Sequence, residues 1–288
     1  MMRSARSTFI PAIITPGRIL IAALAVSGCS SLQSGAKPDD SPSPSARASA
    51  SKRPGSGITV TSSSGLVKAM HDRYGGKYLK TMRFLQNNTR YTTTGEEQKS
   101  QWYEHMELPG KLRIAFLPAS QKSGLVQVDD RVASFDNGIR VDFRPSINPL
   151  LLLTGDVYVA PVAQVMRALD SLSVDAEIIR SDVWEGDPVY VMGAKAGDST
   201  SNQLWVDKDN LRLVRFIQRS RMGERTIVSD IRVSGYKEIE GFDVPTTFLV
   251  IRNGRPFWRE QYTDVRVNEV FPPGTFDQAR WHDIPIPN

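Results

Sequence analysis

"SINPLLLLTGDVYVAPVAQVMRALDSL", residues 146–172, interrupts a chain that otherwise reads as strands. Pro149 suits the first turn of a helix, because a first-turn residue has no intrahelical use for its N–H. The apolar run Leu150 to Leu153 follows it. Pro161 opens a second helix, in which Val162, Val165, Met166, Leu169 and Leu172 recur at the spacing of one helical face. Two short helices are therefore expected here, each with an apolar side that needs a partner.

On either side of this insertion the period is two. "KLRIAF" puts Leu112, Ile114 and Phe116 on one face, and "IRVDFR" puts Ile139, Val141 and Phe143 opposite Arg140, Asp142 and Arg144. Trp102 and Met106 share a face across "QWYEHME". Such alternation marks half-buried antiparallel strands, apolar inside and polar outside. Asn137-Gly138 and Asn253-Gly254 are tight-hairpin signals, since both residues tolerate positive φ. Before the strands, Ser62 to Ser64 offer a cap for a helix carrying Leu66, Val67, Met70 and Tyr74, stopped by Gly75-Gly76. No period of 20–50 residues recurs, which argues against a solenoid or propeller. These patterns predict one α+β domain over 58–288: a long, strongly curved antiparallel meander with three helices against one face.

The N-terminal 57 residues are of another kind. Arg3, Arg6 and Arg18 precede a short apolar run, Ile19 to Val26, so 1–28 reads as an export signal. Val26-Ser27-Gly28-Cys29 then resembles the bacterial lipobox, and Cys29 is the only cysteine of the chain. Its thiol is the expected point of lipid attachment, and two or three acyl chains anchor a protein stably. Ser30 at the next position favours the outer over the inner membrane. Residues 29–57 are rich in Ser, Pro, Ala and Gly and have little to bury, so they are expected to form a disordered tether.

Charge and motifs exclude several functions. The net charge of +5 lies entirely in the N-terminal segments. Arg3, Arg6 and Arg18 supply three of the excess positives; Lys37, Arg47, Lys52 and Arg53 against Asp39 and Asp40 supply the other two. The remainder is neutral and carries no phosphate-neutralising surplus, so no nucleic-acid partner is expected. One cysteine and three histidines leave no material for a thiolate or zinc centre, and no metal or cofactor is expected. Phosphate-binding loops, a nucleophile elbow and H-E-x-x-H are all missing from the sequence. His71, His105 and His282 lie far apart and read as surface or interfacial residues. Glu96-Glu97 and Asp129-Asp130 read as solvated turn carboxylates, and Asp207 to Asn210 as a turn. Catalysis is not expected.

Two passages resemble the LolA-like lipoprotein carriers. "QLWVDKDNLRLVRF", 203–216, resembles their Leu-Trp strand and its returning hairpin. "GYKEIEGFDVPTTFLVI" with "YTDVRVNEVFPPGTFD" resembles their closing strands, ending here in Asn268 and Phe276. The resemblance implies an incomplete β-barrel whose concave apolar face, lidded by helices, accommodates acyl chains. It implies a lid made of Leu150, Leu151, Leu153, Val162, Val165, Met166 and Leu169 over a wall that includes Trp102, Met106, Ile114, Phe116, Val141 and Phe143. The same residues could instead fill a dry core. The soluble carriers have no anchor, so Cys29 brings this chain nearer the anchored acceptor LolB. The expected function is a monomeric, non-catalytic lipoprotein that binds acyl lipids or lipoproteins while facing the periplasm. An RseB-like sensor or interaction module is the second expectation, and an envelope hydrolase the last.

Overall fold

A computed structural model describes residues 59–286. The export signal, Cys29 and the tether lie outside the described residues. Helix α1, Ser63–Asp72, starts where expected: Ser62 caps it, its Oγ accepting the Gly65 N–H at 3.1 Å. Six strands follow: β1 Thr81–Tyr91, β2 Glu97–Glu107, β3 Lys111–Phe116, β4 Gly124–Val128, β5 Arg131–Asp136 and β6 Ile139–Pro145. The insertion forms α2, Pro149–Thr154, and α3, Val162–Ser171. Asn148 caps α2 by accepting the N–H groups of Leu150 and Leu151. Strands then resume: β7 Ile179–Trp184, β8 Asp187–Met192, β9 Gln203–Asp207, β10 Leu213–Met222 and β11 Arg225–Ser234. The small hairpin of β12, Lys237–Ile239, and β13, Phe242–Val244, precedes β14, Thr247–Arg252, and β15, Arg255–Val267.

Thirteen strands form one antiparallel sheet in the order β6-β5-β4-β3-β2-β1-β15-β14-β11-β10-β9-β8-β7. The sheet curves without closing into a barrel, and no edge strand pairs with the other. Its centre is the pairing of β1 with β15, Met82 opposite Val267, which brings the first and last strands together. Its two edges, β6 and β7, are consecutive in the chain. The helical insertion is the connection between them, so it crosses the opening that barrel closure would otherwise fill. The expected hairpins are present: Asn137 and Gly138 have φ of 48° and 80°, Asn253 and Gly254 of 51° and 74°. At Gly138 a Cβ would also stand 2.3 Å from the His282 ring, so two constraints select glycine there.

The main core lies on the concave side. Leu66 and Met70 of α1, Leu153 of α2 and Val165 and Leu169 of α3 are fully buried against Phe216, Ile231 and Phe248 of the sheet. Three polar ties hold the insertion down. The Asp156 carboxylate accepts the Gly110 N–H at 2.9 Å, Tyr78 donates to the Thr154 carbonyl at 3.2 Å, and Tyr158 donates to the Leu211 carbonyl at 3.0 Å. Asp243 on β13 joins Arg73, next to α1, and Arg212, next to β10, in a buried ion triad. Burial raises the Asp156 carboxyl to about 7.

The convex side has its own cover. The segment after β15 crosses β2 to β5, where the Trp281 ring stacks on Phe135 with centroids 4.5 Å apart. Arg113, fully buried, lies 4.1 Å from that indole and donates to the Trp281 carbonyl at 2.8 Å. His105 is also buried here, edge-on to Phe271 at 4.8 Å. Of the surface and interfacial readings of His105 the interfacial one holds: the outward phase of β2 is covered by chain from the far end of the sequence. Among the described residues no helix is long and apolar enough to cross a membrane.

Candidate functional site

The concave face and α2 line a cavity of about 180 Å³ that is partly open to solvent. A single buried water needs roughly a tenth of that, so the space is much more than a packing defect. Period-two alternation builds its wall. Met82, Phe84 and Gln86 point inward from β1, Trp102, Glu104 and Met106 from β2, and Leu112 and Ile114 from β3. Trp258, Glu260 and Tyr262 come from β15, with Ile231 and Val250 behind them. Leu150, Leu151 and Thr154 of α2 form the roof. Apolar and aromatic side chains predominate, which is the composition of a site for a hydrophobic ligand.

The wall also carries ionisable groups. Glu260 is held by two donors, the Trp258 indole at 3.0 Å and the Tyr262 hydroxyl at 3.2 Å. Burial nevertheless raises its carboxyl to about 7. Glu104 is 3% exposed, and its Oε1 has no hydrogen-bond partner among the described residues. Burial, reinforced by the Glu260 charge, lifts the Glu104 carboxyl well above the usual range. Gln86 donates to Asn88 at 2.7 Å, while the Asn88 amide nitrogen finds no acceptor. At the strand ends Arg90 and Arg252 reach the wall half-buried, with Arg252 lying 3.8 Å over the Phe257 ring.

The residues expected from sequence separate into three groups. Trp102, Met106, Ile114, Leu150 and Leu151 stand together on the cavity wall, and half-buried Phe116 backs Trp102 at 5.4 Å. Leu153, Val162, Val165, Met166 and Leu169 belong to the core beside it and do not line the cavity. Helix α3 packs on α1, so the roof is α2 alone. Val141 and Phe143 are the clearest correction: they are 60% and 50% exposed. Their strand is the sheet edge, and alternation shows only that a face is apolar, not that anything covers it. Arg131 and Arg140 lie over the Phe143 ring instead, at 5.8 and 5.6 Å.

Sequence reasoning missed Glu104, Gln86 and Glu260. The signal was present for the first, because Glu104 is in phase between Trp102 and Met106. "WREQY" repeats the arrangement, with Glu260 in phase between Trp258 and Tyr262. Among the described residues no group of three or more His, Cys, Asp or Glu could hold a metal ion.

No protein-family model matches the chain, and no curated protein matches it. Solved structures do. A putative outer-membrane lipoprotein-sorting protein domain from Vibrio parahaemolyticus is 10% identical, covers 76% of this chain and 97% of its own, and superposes with a TM-score of 0.53. A DUF1329 family protein from Desulfovibrio piger is 14% identical, with 76% and 97% covered and a TM-score of 0.50. The LolA superfamily protein NE2245 from Nitrosomonas europaea is 12% identical, with 76% and 99% covered and a TM-score of 0.49. At these identities the likeness concerns the fold. The chain therefore shares the fold of the Vibrio parahaemolyticus domain and the Desulfovibrio piger protein: an open, curved antiparallel sheet with helices in its concavity.

Proposed function

We propose that this protein is a non-catalytic envelope lipoprotein that binds acyl chains in the cavity beneath α2. The observation that carries the reading is an apolar cavity sited where the helical link between the two sheet edges crosses the open side of the sheet. Burying an acyl chain there is favoured by about 25 cal/mol per Å² of apolar surface. The cavity is partly open beside α2, which gives a ligand a way in while α3 and α1 keep the core closed. The lipobox at Cys29 supports attachment to a membrane, and Ser30 supports the outer membrane with the domain facing the periplasm. The fold likeness to lipoprotein-sorting proteins supports transport or hand-over of acylated cargo.

The test is native mass spectrometry with lipid extraction on the full chain purified from membranes. Acyl lipid at near-unit stoichiometry, together with a diacylglyceryl mass on the Cys29 peptide, is expected. A protein at its bare mass that takes up no fluorescent acyl probe overturns the cavity reading. In Leu150→Asp, a charge placed on the half-buried roof should abolish lipid retention with the sheet still folded by circular dichroism.

A second reading, a protein-interaction module, draws on the exposed edge strand β6. Ile139, Val141 and Phe143 are 69%, 60% and 50% exposed along an edge strand that pairs only with β5 among the described residues, a surface suited to strand addition. Cross-linking from β6 to one stoichiometric protein, with no lipid recovered, would favour it.

A further inference from the structure

The cavity's polar groups are arranged for more than tail burial. β2 and β15 both run antiparallel to β1 and therefore parallel to each other. Each carries the same inward series: a tryptophan, then a glutamate, then an apolar or aromatic residue. The two indoles, Trp102 and Trp258, touch with centroids 5.3 Å apart. Because the strands run the same way, both glutamates follow that contact in the same sense along one wall, Glu104 opposite Phe84 and Glu260 opposite Asn88 on β1.

A buried glutamate and a half-buried one in an apolar cavity are costly, and leucine at Glu104 would be cheaper. Glu260 is satisfied by Trp258 and Tyr262. Glu104 is not: it lines the cavity, and its buried Oε1 has no hydrogen-bond partner among the described residues. An unmet buried acceptor beside a second carboxylate disfavours an anionic ligand and favours a cationic donor. The adjoining indole faces suit the same charge.

We propose that the cavity takes a primary ammonium group at Glu104, with Glu260 further along the same wall, selecting an amine-headed amphiphile. This rests on the acyl-binding reading and specifies its ligand. The alkyl part would lie along Met82, Leu112, Ile114 and Leu151, under the roof. The raised carboxyls of both glutamates agree with the geometry, because an arriving cation supplies the charge their burial withholds. The cations on the wall, Arg90 and Arg252, define the rival outcome of an anionic head. Arg252 is already engaged, donating from Nε to the Ser229 hydroxyl at 3.0 Å and covering Phe257.

The full chain in a non-ionic amphipol would be titrated at pH 8 with octylamine, octanol and octanoate, and affinity read from the rise in Tm. Octylamine should bind at least about tenfold tighter than either chain-matched probe, a difference of about 1.4 kcal/mol. In Glu104→Gln the preference for octylamine over octanol should fall to within about twofold, and continued octanol binding shows that the variant keeps its cavity. Equal binding of all three by the native protein, a preference for octanoate, or an octylamine preference that survives Glu104→Gln overturns the ammonium recess while leaving the acyl cavity intact. Binding of none of the three overturns the cavity itself.

Discussion

Glu104 and Arg113 sit on neighbouring strands, one register step apart, and face opposite sides of one sheet. Both are buried, yet their surroundings differ. Arg113 is enclosed by the C-terminal segment, donates to the carbonyl of Trp281 and stacks against that residue's ring. Burial pulls its guanidinium down to about 10, so it stays charged at neutral pH. Glu104 meets a cavity and leaves an oxygen unpaired. Arg113 also leaves its Nε unpaired, so the comparison separates a buried group enclosed by its own chain from one that borders an open space. The first should be costly to remove and the second cheap.

The largest expected effect lies on the convex side. Arg113→Ala orphans the Trp281 carbonyl, removes a cation from an indole face and opens a void. It should lower stability by about 3–5 kcal/mol in urea titrations. A loss below about 1 kcal/mol would mean that the strap does not depend on this arginine.

Next comes the pH dependence set by Glu260. Its carboxyl is raised from 4.5 to about 7 in the fold, so the folded state holds a proton the unfolded chain has released. Its contribution is full below pH 4.5 and is lost as pH rises through 7, in total roughly 3 kcal/mol. Glu260→Gln should therefore gain on the native protein between pH 5 and 8. His105 has the opposite sign. Burial, then the charges of Arg113 and Arg83, lower it from 6.5 to about 4, so its contribution is lost as pH falls through that window. A native protein with equal stability at pH 5 and 8 whose glutamine variant follows the same curve would break the Glu260 assignment.

Smaller still, Glu104→Leu should leave stability unchanged or raise it by about 1 kcal/mol, because the unpaired oxygen disappears and apolar wall replaces it. A clear loss would place Glu104 with Arg113 as a structural group. Smallest is the sheet edge: Val141→Lys should change stability by less than about 0.5 kcal/mol, since nothing covers that side chain.

Much of this was legible along the chain. The Ser62 cap, Pro149 in the first turn of α2, the Asn-Gly hairpins and the inward phase of Trp102, Met106 and Ile114 are local features, and they formed as the sequence directs. Glu104 was readable too, once its phase between Trp102 and Met106 is weighed as heavily as theirs. Val141 and Phe143 were misread because the same alternation describes an edge strand and a covered one. The apolar face of α3 was assigned to a lid because helical spacing shows that a face needs burial without saying against what.

The sequence by itself determined the period of each segment, its turns and its stops, because those depend on energies between residues a few positions apart. Tertiary structure alone decided which face of each strand is covered and that β1 meets β15. It also decided that the helical link between the two edges crosses the open side of the sheet. Pairing Met82 with Val267 and burying Arg113 under Trp281 join residues far apart in the chain. The desolvation that makes Glu104 unusual comes from those distant neighbours: a carboxylate's cost depends on what replaces water around it, and no local pattern records that.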